Sequence, residues 1–372
     1  MTKTYSIFLS ALFCAFIGGI FLVSLLLPKQ EKSELENRYL QKAPTLSLET
    51  LRDGSFMDDA EQYASDHVVG RDLWVSMKSW SERLSGKREN NGVYFGKHDT
   101  LINRVDEPDP DKLAKDMGYV DALAGNVSVP VYFGLIPTSA AIWADRLPAG
   151  APTADEKSII DRLYFSTGAN TVDMYGALWD HREEYVYYRT DHHWTSLGAY
   201  YGANALMRAM GLEPLDLGDY QPTTVTEDFF GTTFSTSGVR WVRPDRIDTY
   251  IPADGVTVTS YFTGAPAEGS LYVDSYLDVK DKYSYFLGGR QPLCVIETQR
   301  TDAPKLLLIR DSYSDSLAPF LTQRFSEIHL FDPRNNLTSI QGYAAEHDID
   351  AVVVLYSFSN FASDQNLFLL GR

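Results

Sequence analysis

The stretch Leu306-Leu-Leu-Ile-Arg-Asp-Ser-Tyr-Ser314 decides the fold. The apolar run within Lys305–Arg310 is typical of a strand that is buried on both faces. The elements predicted after it are a helix at Ser314–Arg324, a strand at Ile328–Phe331, a helix at Ser339–Glu346 and a strand at Ala351–Tyr356. Strands that alternate with helices are joined by crossovers and form a largely parallel sheet.

The same alternation is predicted upstream. Its elements are a strand at Val127–Ile136, a helix at Thr153–Phe165, a short strand at Thr171–Met174 and a helix at Thr195–Met210. Nearer the N-terminus, the apolar spacing predicts helical structure over residues 51–86 and a hairpin over residues 93–102. Residues 220–300 lack a helical period and are rich in Thr, Tyr, Gly and Asp. We therefore expect an α/β fold with a parallel sheet and a β-rich or irregular insertion.

The N-terminal segment predicts a membrane anchor. Tyr5–Leu27 carries no charged residue and is long enough to cross a hydrocarbon core. The apolar run ends at Leu27-Pro28-Lys29 without an Ala-x-Ala-like cleavage site, so an uncleaved signal anchor is favoured over a removed signal peptide. The expected organisation is an anchor over residues 1–28, a stalk over 29–50 and the main domain over 51–372.

Composition narrows the classes of function. The net charge of −17 excludes a protein that wraps nucleic acid, because that binding depends on Lys and Arg neutralising phosphates. The two cysteines, Cys14 and Cys294, lie in the apolar segment and the main domain, so neither a disulfide nor a cysteine-type zinc site is expected. The aromatic content of 13% suits sugar stacking, but it suits a β-rich core at least as well.

Thr190-Asp-His-His-Trp-Thr195 is the stretch richest in chemistry. Imidazole titrates near neutrality and is the usual proton carrier in catalysis. Asp191 stands two residues before His193 and is predicted to orient that ring, as the acid of a hydrolytic triad does. In an extended segment the rings of His192 and His193 point apart, so we expect a single base. The structural alternative is a polar first turn of a helix.

Ser312 is the predicted nucleophile. It follows a buried strand, and backbone N–H groups at the start of the next helix can stabilise an oxyanion there. A helix cap is the structural alternative. Gly288 and Gly289 are expected to let the backbone approach a substrate, although a plain turn explains them equally well. Tyr313 is a further candidate for a substrate or oxyanion contact.

A metal site is the second interpretation of Asp191-His192-His193. Imidazole and carboxylate bind zinc, iron or manganese, and three of these residues match the DHH phosphoesterases by letter. The other histidines show no metal-ligand spacing near this stretch; they are at positions 67, 98, 181, 329 and 347. The further aspartate motifs of those phosphoesterases are not apparent. We therefore expect no metal and no cofactor.

Taken together, these stretches resemble the DHHW protein family, whose name is the tetrapeptide Asp191-His192-His193-Trp194. That family is similar to the SGNH-hydrolase-like proteins that O-acetylate alginate and other bacterial exopolysaccharides. The stretches that carry the resemblance are Glu36-Asn-Arg38, Phe56–Arg71 with Asp66, Asn91-Gly-Val93 with Gly96-Lys97, Ile136-Pro-Thr138, the DHHW tetrapeptide, Tyr285-Phe-Leu-Gly-Gly289 and Asp311-Ser-Tyr313.

The resemblance implies an SGNH-like, flavodoxin-like three-layer fold and a triad of Ser312, His193 and Asp191. Two features depart from the pattern. Arg310 stands where SGNH hydrolases have the Gly of Gly-Asp-Ser, and the Asn of the oxyanion hole has no clear counterpart. The residues near plausible strand ends are Asn335, Tyr356 and Asn360.

The function so implied is acyl transfer, either acetyl transfer or ester hydrolysis, on a cell-envelope or secreted polysaccharide. The bulk of the chain is then expected outside the cytoplasm, with a membrane acyl-donor protein as partner if the reaction is transfer. The rival from another class is a non-catalytic polysaccharide-binding or envelope protein on the same fold.

Overall fold

A computed structural model describes residues 3–372. The chain divides into two compact units. The first comprises Met1–Asn91, described from residue 3 onward, and Phe234–Trp241. The second comprises Gly92–Thr233 and Val242–Arg372. The predicted domain border at residue 51 stays a prediction, because a compact unit is not by itself evidence of independent folding.

The first unit is mainly helical. Its helices are α1 (Lys3–Leu26), α2 (Leu48–Asp53), α3 (Ser55–Asp66) and α4 (Arg71–Leu84), and its strands are β1 (Lys32–Ser33), β2 (Arg38–Tyr39) and β3 (Glu89–Asn90). Helix α1 has 24 residues, none of them buried, and is long and apolar enough to cross a membrane. It is therefore compatible with a single-pass anchor, and a signal sequence near an N-terminus can also be apolar enough to meet this description.

The predicted helical region over residues 51–86 is broken twice. Gly54 and Gly70, at φ of 87° and 69°, separate helices α2, α3 and α4. Both are in the left-handed region, which ends an α-helix and which glycine adopts without strain.

An ion-pair network joins two of the stretches that carried the family resemblance. The carboxylate of Asp66 is buried and accepts from Arg38 Nη1 at 2.9 Å, while Arg71 Nη2 donates to Glu36 Oε2 at 2.6 Å. Hydrogen bonds from Arg38, the Gln41 N–H and other donors outweigh burial and hold the pKa of Asp66 well below its usual range. This network ties the β1–β2 ribbon to the ends of α3 and α4.

The second unit contains the large sheet. Its helices are α5 (Pro110–Asn126), α6 (Ser139–Ile142), α7 (Glu156–Ser166), α8 (Met174–Trp179), α9 (Ser196–Ala209), α10 (Thr232–Ser237, which begins in this unit), α11 (Ser314–Leu321), α12 (Ile340–Glu346) and α13 (Phe358–Ser363). Its strands are β4 (Val93–Phe95), β5 (Leu101–Asn103), β6 (Val131–Ile136), β7 (Asn170–Val172), β8 (Thr223–Phe229), β9 (Asp245–Thr249), β10 (Val256–Ser260), β11 (Ala267–Glu268), β12 (Leu293–Thr298), β13 (Lys305–Arg310), β14 (Glu327–Phe331) and β15 (Ala351–Ser357).

The sheet has eight strands in the order β11-β10-β12-β14-β13-β15-β6-β7. The pairs from β14 to β7 are parallel, and β12, β10 and β11 extend the sheet in antiparallel pairs. The predicted α/β class with a mainly parallel sheet is confirmed. Residues 220–300 are β-rich as expected, but three of their strands lie within the main sheet rather than apart from it.

The burial of the central strands explains why their apolar sequence pattern predicted them. In β13 every residue after Lys305 is buried, and in β15 all residues are buried. Strands covered on both faces need continuous apolar sequence, which is what these segments show. Helix α5 had no predicted counterpart. Asp109 caps it and Pro110 occupies its first turn, a typical helix start.

Candidate active site

Ser312 lies at the carboxyl end of the central strand β13. The chain turns there into helix α11, and the Asp315 N–H donates to the Ser312 carbonyl at 3.2 Å. The side chain is half-buried, so a substrate can reach it. The Ser312 N–H has no hydrogen-bond partner within residues 3–372. An oxyanion bound there would displace no protein partner of this N–H, and the predicted oxyanion contact stays a prediction.

The Asp-His-His-Trp segment is folded against this turn. Trp194 is fully buried, and its indole N–H donates to the Tyr313 carbonyl at 2.9 Å and to Ser316 Oγ at 3.0 Å. Directly afterwards Thr195 caps helix α9 by accepting from the Gly198 N–H at 3.2 Å. The indole therefore joins the histidine segment to the residues on the C-terminal side of Ser312.

Ser312, His193 and Asp191 form one chain of hydrogen bonds. Ser312 Oγ is 2.8 Å from His193 Nε2, and His193 Nδ1 is 2.6 Å from Asp191 Oδ1. The structure thus brings together the three residues that the sequence singled out, across 119 positions of the chain. These are the contacts of a nucleophile, a base and an orienting acid.

Asp191 is held as a carboxylate. It is buried, and its Oδ2 accepts from the Thr232 N–H at 2.6 Å and from Thr232 Oγ1 at 3.0 Å. Burial alone would raise its pKa, but the charges of His192 and His193 and the hydrogen bonds from His193 hold the pKa of Asp191 well below its usual range. Gly231 makes room for this carboxylate, because a Cβ there would lie 2.1 Å from Asp191 Oδ2.

The imidazole of His193 is enclosed by two rings. The centroid of the His192 ring lies 3.8 Å from that of the His193 ring. The Tyr283 ring is stacked on the His193 ring with a centroid distance of 3.7 Å. The expectation that the two histidine rings point apart is wrong, because the chain bends through residues 191–193 instead of being extended. His192 Nδ1 is hydrogen-bonded to Thr232 Oγ1 at 2.7 Å. Of these two histidines, only His193 is hydrogen-bonded to Ser312.

Tyr313 links the Asp311–Ser312 turn to the histidine segment by hydrogen bonds. Its N–H donates to Asp311 Oδ1 at 3.0 Å, and its hydroxyl donates to the His192 carbonyl. With its N–H engaged in this state, Tyr313 acts as a support for the histidine segment. Its predicted contact with substrate or oxyanion stays a prediction.

Gly288 and Gly289 form a tight turn. Together with Leu287 they adopt φ between 60° and 88°, the left-handed region that favours glycine. A Cβ at Gly289 would lie 2.8 Å from Ser284 Oγ. The turn alternative has direct support in this geometry, and an oxyanion role for the two glycines stays a prediction.

Asp311 organises the carboxyl edge of the sheet. Its Oδ2 accepts from the Ser357 N–H at 2.8 Å, from Ser357 Oγ at 2.7 Å and from Asn360 Nδ2 at 2.7 Å. Of the three oxyanion candidates near strand ends, Asn360 thus donates to the same carboxylate as the Tyr313 N–H in the turn at Ser312. Asn335 instead donates to Asp332, and the hydroxyl of Tyr356 is buried without a hydrogen-bond partner in the described chain.

Arg310, which departs from the glycine of the SGNH pattern, points into the protein. It is fully buried, and its Nη1 lies 2.7 Å from Asp315 Oδ1. Burial raises the pKa of Asp315 to about 7, although the charge of Arg310 opposes that shift. This ion pair joins Arg310, at the end of β13, to Asp315, in the first turn of α11, and so links the two elements on either side of Ser312.

Sequence reasoning missed several residues that shape the site. Asp245 is fully buried and accepts from the Thr190 N–H at 2.8 Å, from the Arg189 N–H at 3.1 Å and from the Tyr185 hydroxyl at 2.6 Å. Tyr283 and Thr232 were missed in the same way. Each lies at least 29 positions along the chain from the site residues that it contacts. No local pattern marks them, because only the fold makes them neighbours.

The donor atoms of Asp191, His192 and His193 lie within 4.8 Å of one another and could in principle hold a metal. However, both carboxylate oxygens, both nitrogens of His193 and Nδ1 of His192 already have protein partners. A metal would have to displace these bonds. The geometry therefore fits the triad better than a metal centre.

The comparisons with known proteins agree with the fold. A solved DHHW family protein from Eubacterium siraeum is 27% identical with a TM-score of 0.66, and the alignment covers 76% of this chain and 95% of that one. Bacillus cereus PatB1, solved with a sulfonyl adduct, is 20% identical with a TM-score of 0.62, covering 75% and 98%. The predicted SGNH-like α/β fold is thus confirmed.

The O-acetyltransferase domain of Pseudomonas putida AlgJ aligns at 14% identity with a TM-score of 0.44, covering 73% of this chain and 93% of that one. No curated protein sequence matches the chain significantly. The family described as DHHW protein matches residues 122–331, more than half of the chain, and that range includes both the histidine segment and Ser312. The chain therefore belongs to the DHHW protein family.

Proposed function

We propose that this protein is a membrane-anchored, extracytoplasmic acyl-transfer enzyme that acts on ester-linked acetyl groups of a cell-envelope or secreted polysaccharide. The observation that carries the proposal is the continuous Ser312–His193–Asp191 chain of hydrogen bonds, with 2.8 Å and 2.6 Å between the bonded atoms. Family resemblance supports the glycan substrate, and the apolar helix α1 supports the membrane location.

The proposed mechanism follows from the protonation states. Asp191 is a carboxylate and binds His193 Nδ1, so that nitrogen carries the proton and Nε2 is left to accept the proton of Ser312. Ser312 Oγ then attacks the acyl carbonyl, and the Ser312 N–H can bind the resulting oxyanion. His193 returns the proton to the leaving oxygen, which leaves an acyl-serine.

The second half of the reaction reverses these roles. His193 takes a proton from the acceptor hydroxyl, the acceptor oxygen attacks the acyl-serine, and Ser312 regains its proton. A sugar hydroxyl as acceptor makes the protein a transferase, and water makes it an esterase. A transferase of this kind takes its acyl group from a donor, for which we propose a membrane protein that carries acetyl groups outward.

The test is an esterase assay on the full chain with p-nitrophenyl acetate. Ser312→Ala and His193→Ala are expected to lower the rate by about 10⁴-fold or more, and Asp191→Asn by about 10³-fold to 10⁴-fold. Ser314→Ala is the matched control, since its hydroxyl is buried two residues from the nucleophile without a hydrogen-bond partner among the described residues. It should keep wild-type activity.

A second readout identifies the nucleophile and the acceptor. Acid quenching during turnover should trap one acetyl group on the peptide that contains Ser312. Added polysaccharide that diverts acetyl from water to sugar would assign transfer, and unchanged acetate release would assign hydrolysis. A protein that binds glycan but is equally inert as wild type, Ser312→Ala and His193→Ala would be the non-catalytic rival.

A further inference from the structure

Helix α4 presents an exposed apolar stripe. Leu73, Met77, Trp80 and Leu84 follow at intervals of four, three and four residues, so they share one face of the helix. Their exposed fractions lie between 46% and 82%, whereas Ser79 on another face is buried. Scattered exposed apolar residues are ordinary, but a continuous stripe of this kind marks a surface that something covers.

The stripe begins beside the end of α1. The Val69 N–H, just before α4, donates to Ser24 Oγ at 2.9 Å. Leu27, Pro28 and Leu73 line the same cavity of about 250 Å³. Helix α1, with 24 residues, is about 36 Å long, so as a membrane span it reaches from one surface of a hydrocarbon core to the other. The start of α4 is therefore held at the level of the membrane surface.

The distribution of charge also favours placing the first unit against the membrane surface. The unit that contains α1 and α4 has 12 Lys and Arg against 12 Asp and Glu, whereas the other unit has 21 against 38. An anionic lipid surface repels the second unit but not the first. The stripe also contains Trp80, whose ring lies 4.4 Å from that of Trp241, and tryptophan prefers the membrane–water interface.

We propose that helix α4 lies in the membrane–water interface with the Leu73–Met77–Trp80–Leu84 stripe in the lipid headgroup region. The inference rests on the proposed membrane anchor α1. An amphipathic helix beside a spanning helix gives the first unit a second attachment and fixes its orientation on the bilayer. The intervals of four and three residues are also those of a helix–helix seam, so contact with a second copy is the outcome that would count against lipid.

The test places a fluorophore on the full chain in vesicles of phosphatidylcholine and phosphatidylglycerol. In a Cys14→Ser background, Met77→Cys puts the label on the stripe, and Lys78→Cys puts it on an exposed flank one residue on. Burial raises the pKa of Cys294 to about 12, so this native thiol stays unlabelled. Nitroxide lipids should quench the residue-77 label at a depth of about 5 to 10 Å, while a water-soluble nitroxide quenches the residue-78 label.

Native Cys14, labelled in the unmodified chain, separates the two proposals. A deeply quenched Cys14 label shows that α1 is inserted, and a residue-77 label then found in water overturns only the role of α4. A Cys14 label in water overturns the anchor itself. A residue-77 label that is shielded from lipid and water alike, and released when the protein is diluted in the bilayer, assigns the stripe to a second copy and overturns the lipid proposal.

Discussion

The phenol ring of Tyr283 lies parallel to the imidazole of His193, with the ring centroids 3.7 Å apart and an angle of 8° between the planes. The Tyr283 hydroxyl donates to the Ser312 carbonyl at 3.0 Å and lies 3.1 Å from Ser316 Oγ. One side chain thus contacts the proposed base through its face and the proposed nucleophile's backbone through its hydroxyl. Since it has no assigned contact with substrate, Tyr283 is a positioning residue.

Removing the Tyr283 hydroxyl should slow turnover without removing the stack. Tyr283→Phe is expected to lower kcat by about fivefold to tenfold, the equivalent of one hydrogen bond worth about 1 to 1.5 kcal/mol. Tyr283→Leu, which also loses the flat ring, should lower it further. Tyr285→Phe is the control, because Tyr285 stacks on Tyr272 instead. Equal kcat for Tyr283→Phe and Tyr285→Phe in ester hydrolysis would refute the positioning role.

His192 separates the triad from the metal alternative. A triad does not need the His192 side chain, so His192→Ala should keep activity within about tenfold of wild type. The chelator EDTA should leave the rate unchanged. A metal centre would use His192 as a ligand, and both treatments would then abolish activity, with recovery on adding zinc or manganese to the chelated protein.

Asp311 should matter more to stability than any one of its partners. Asp311→Asn leaves several buried donors facing an amide, and we expect the free energy of unfolding to fall by about 2 to 4 kcal/mol. Asn360→Ala removes one of those donors and should cost about 1 to 2 kcal/mol in a urea titration. If Asn360→Ala instead keeps its stability and loses more than about hundredfold in kcat, Asn360 is an oxyanion donor rather than a support.

Glu156 should make stability fall with rising pH. Burial raises its pKa from 4.5 to about 7, although hydrogen bonds from the Thr138 N–H and hydroxyl oppose the shift. The unfolded chain therefore ionises first, and stability is lost as the pH rises from the unfolded pKa to about 7. At pH 8 the loss amounts to about 3 kcal/mol.

Glu156→Gln should remove that pH dependence. The variant should unfold at nearly the wild-type temperature at pH 5 and at a higher temperature at pH 8, measured by calorimetry. Glu184→Gln is the control, since that carboxyl is exposed. A Glu156→Gln protein that is less stable than wild type at pH 8 would show that the carboxylate is stabilising in the fold.

The sequence determined the alternation of strands and helices and most of the residues that the site brings together. Strand β13 was predicted at its observed bounds, Lys305–Arg310, because a strand buried on both faces must be apolar throughout. Asp191 and His193 could be predicted as an acid–base pair because they are two positions apart, within a single local motif. Helix α5 (Pro110–Asn126) was not predicted from the pattern. The breaks at Gly54 and Gly70 were not predicted either, since a glycine inside an apolar period does not reveal its own φ angle.

The tertiary structure alone decided what surrounds the triad. The contact between His193 and Ser312 spans 119 positions, so the sequence could name the two residues but could not place their side chains within hydrogen-bond distance. Tyr283, Thr232 and Asp245 reach the site from segments that carry no motif, because hydrogen bonds and ring stacking depend on distance in space. The side-by-side rings of His192 and His193 likewise follow from a local bend that packing of the buried Trp194 holds in place. Local sequence thus determined which side chains are present in the site, and long-range packing determined the distances and angles between them.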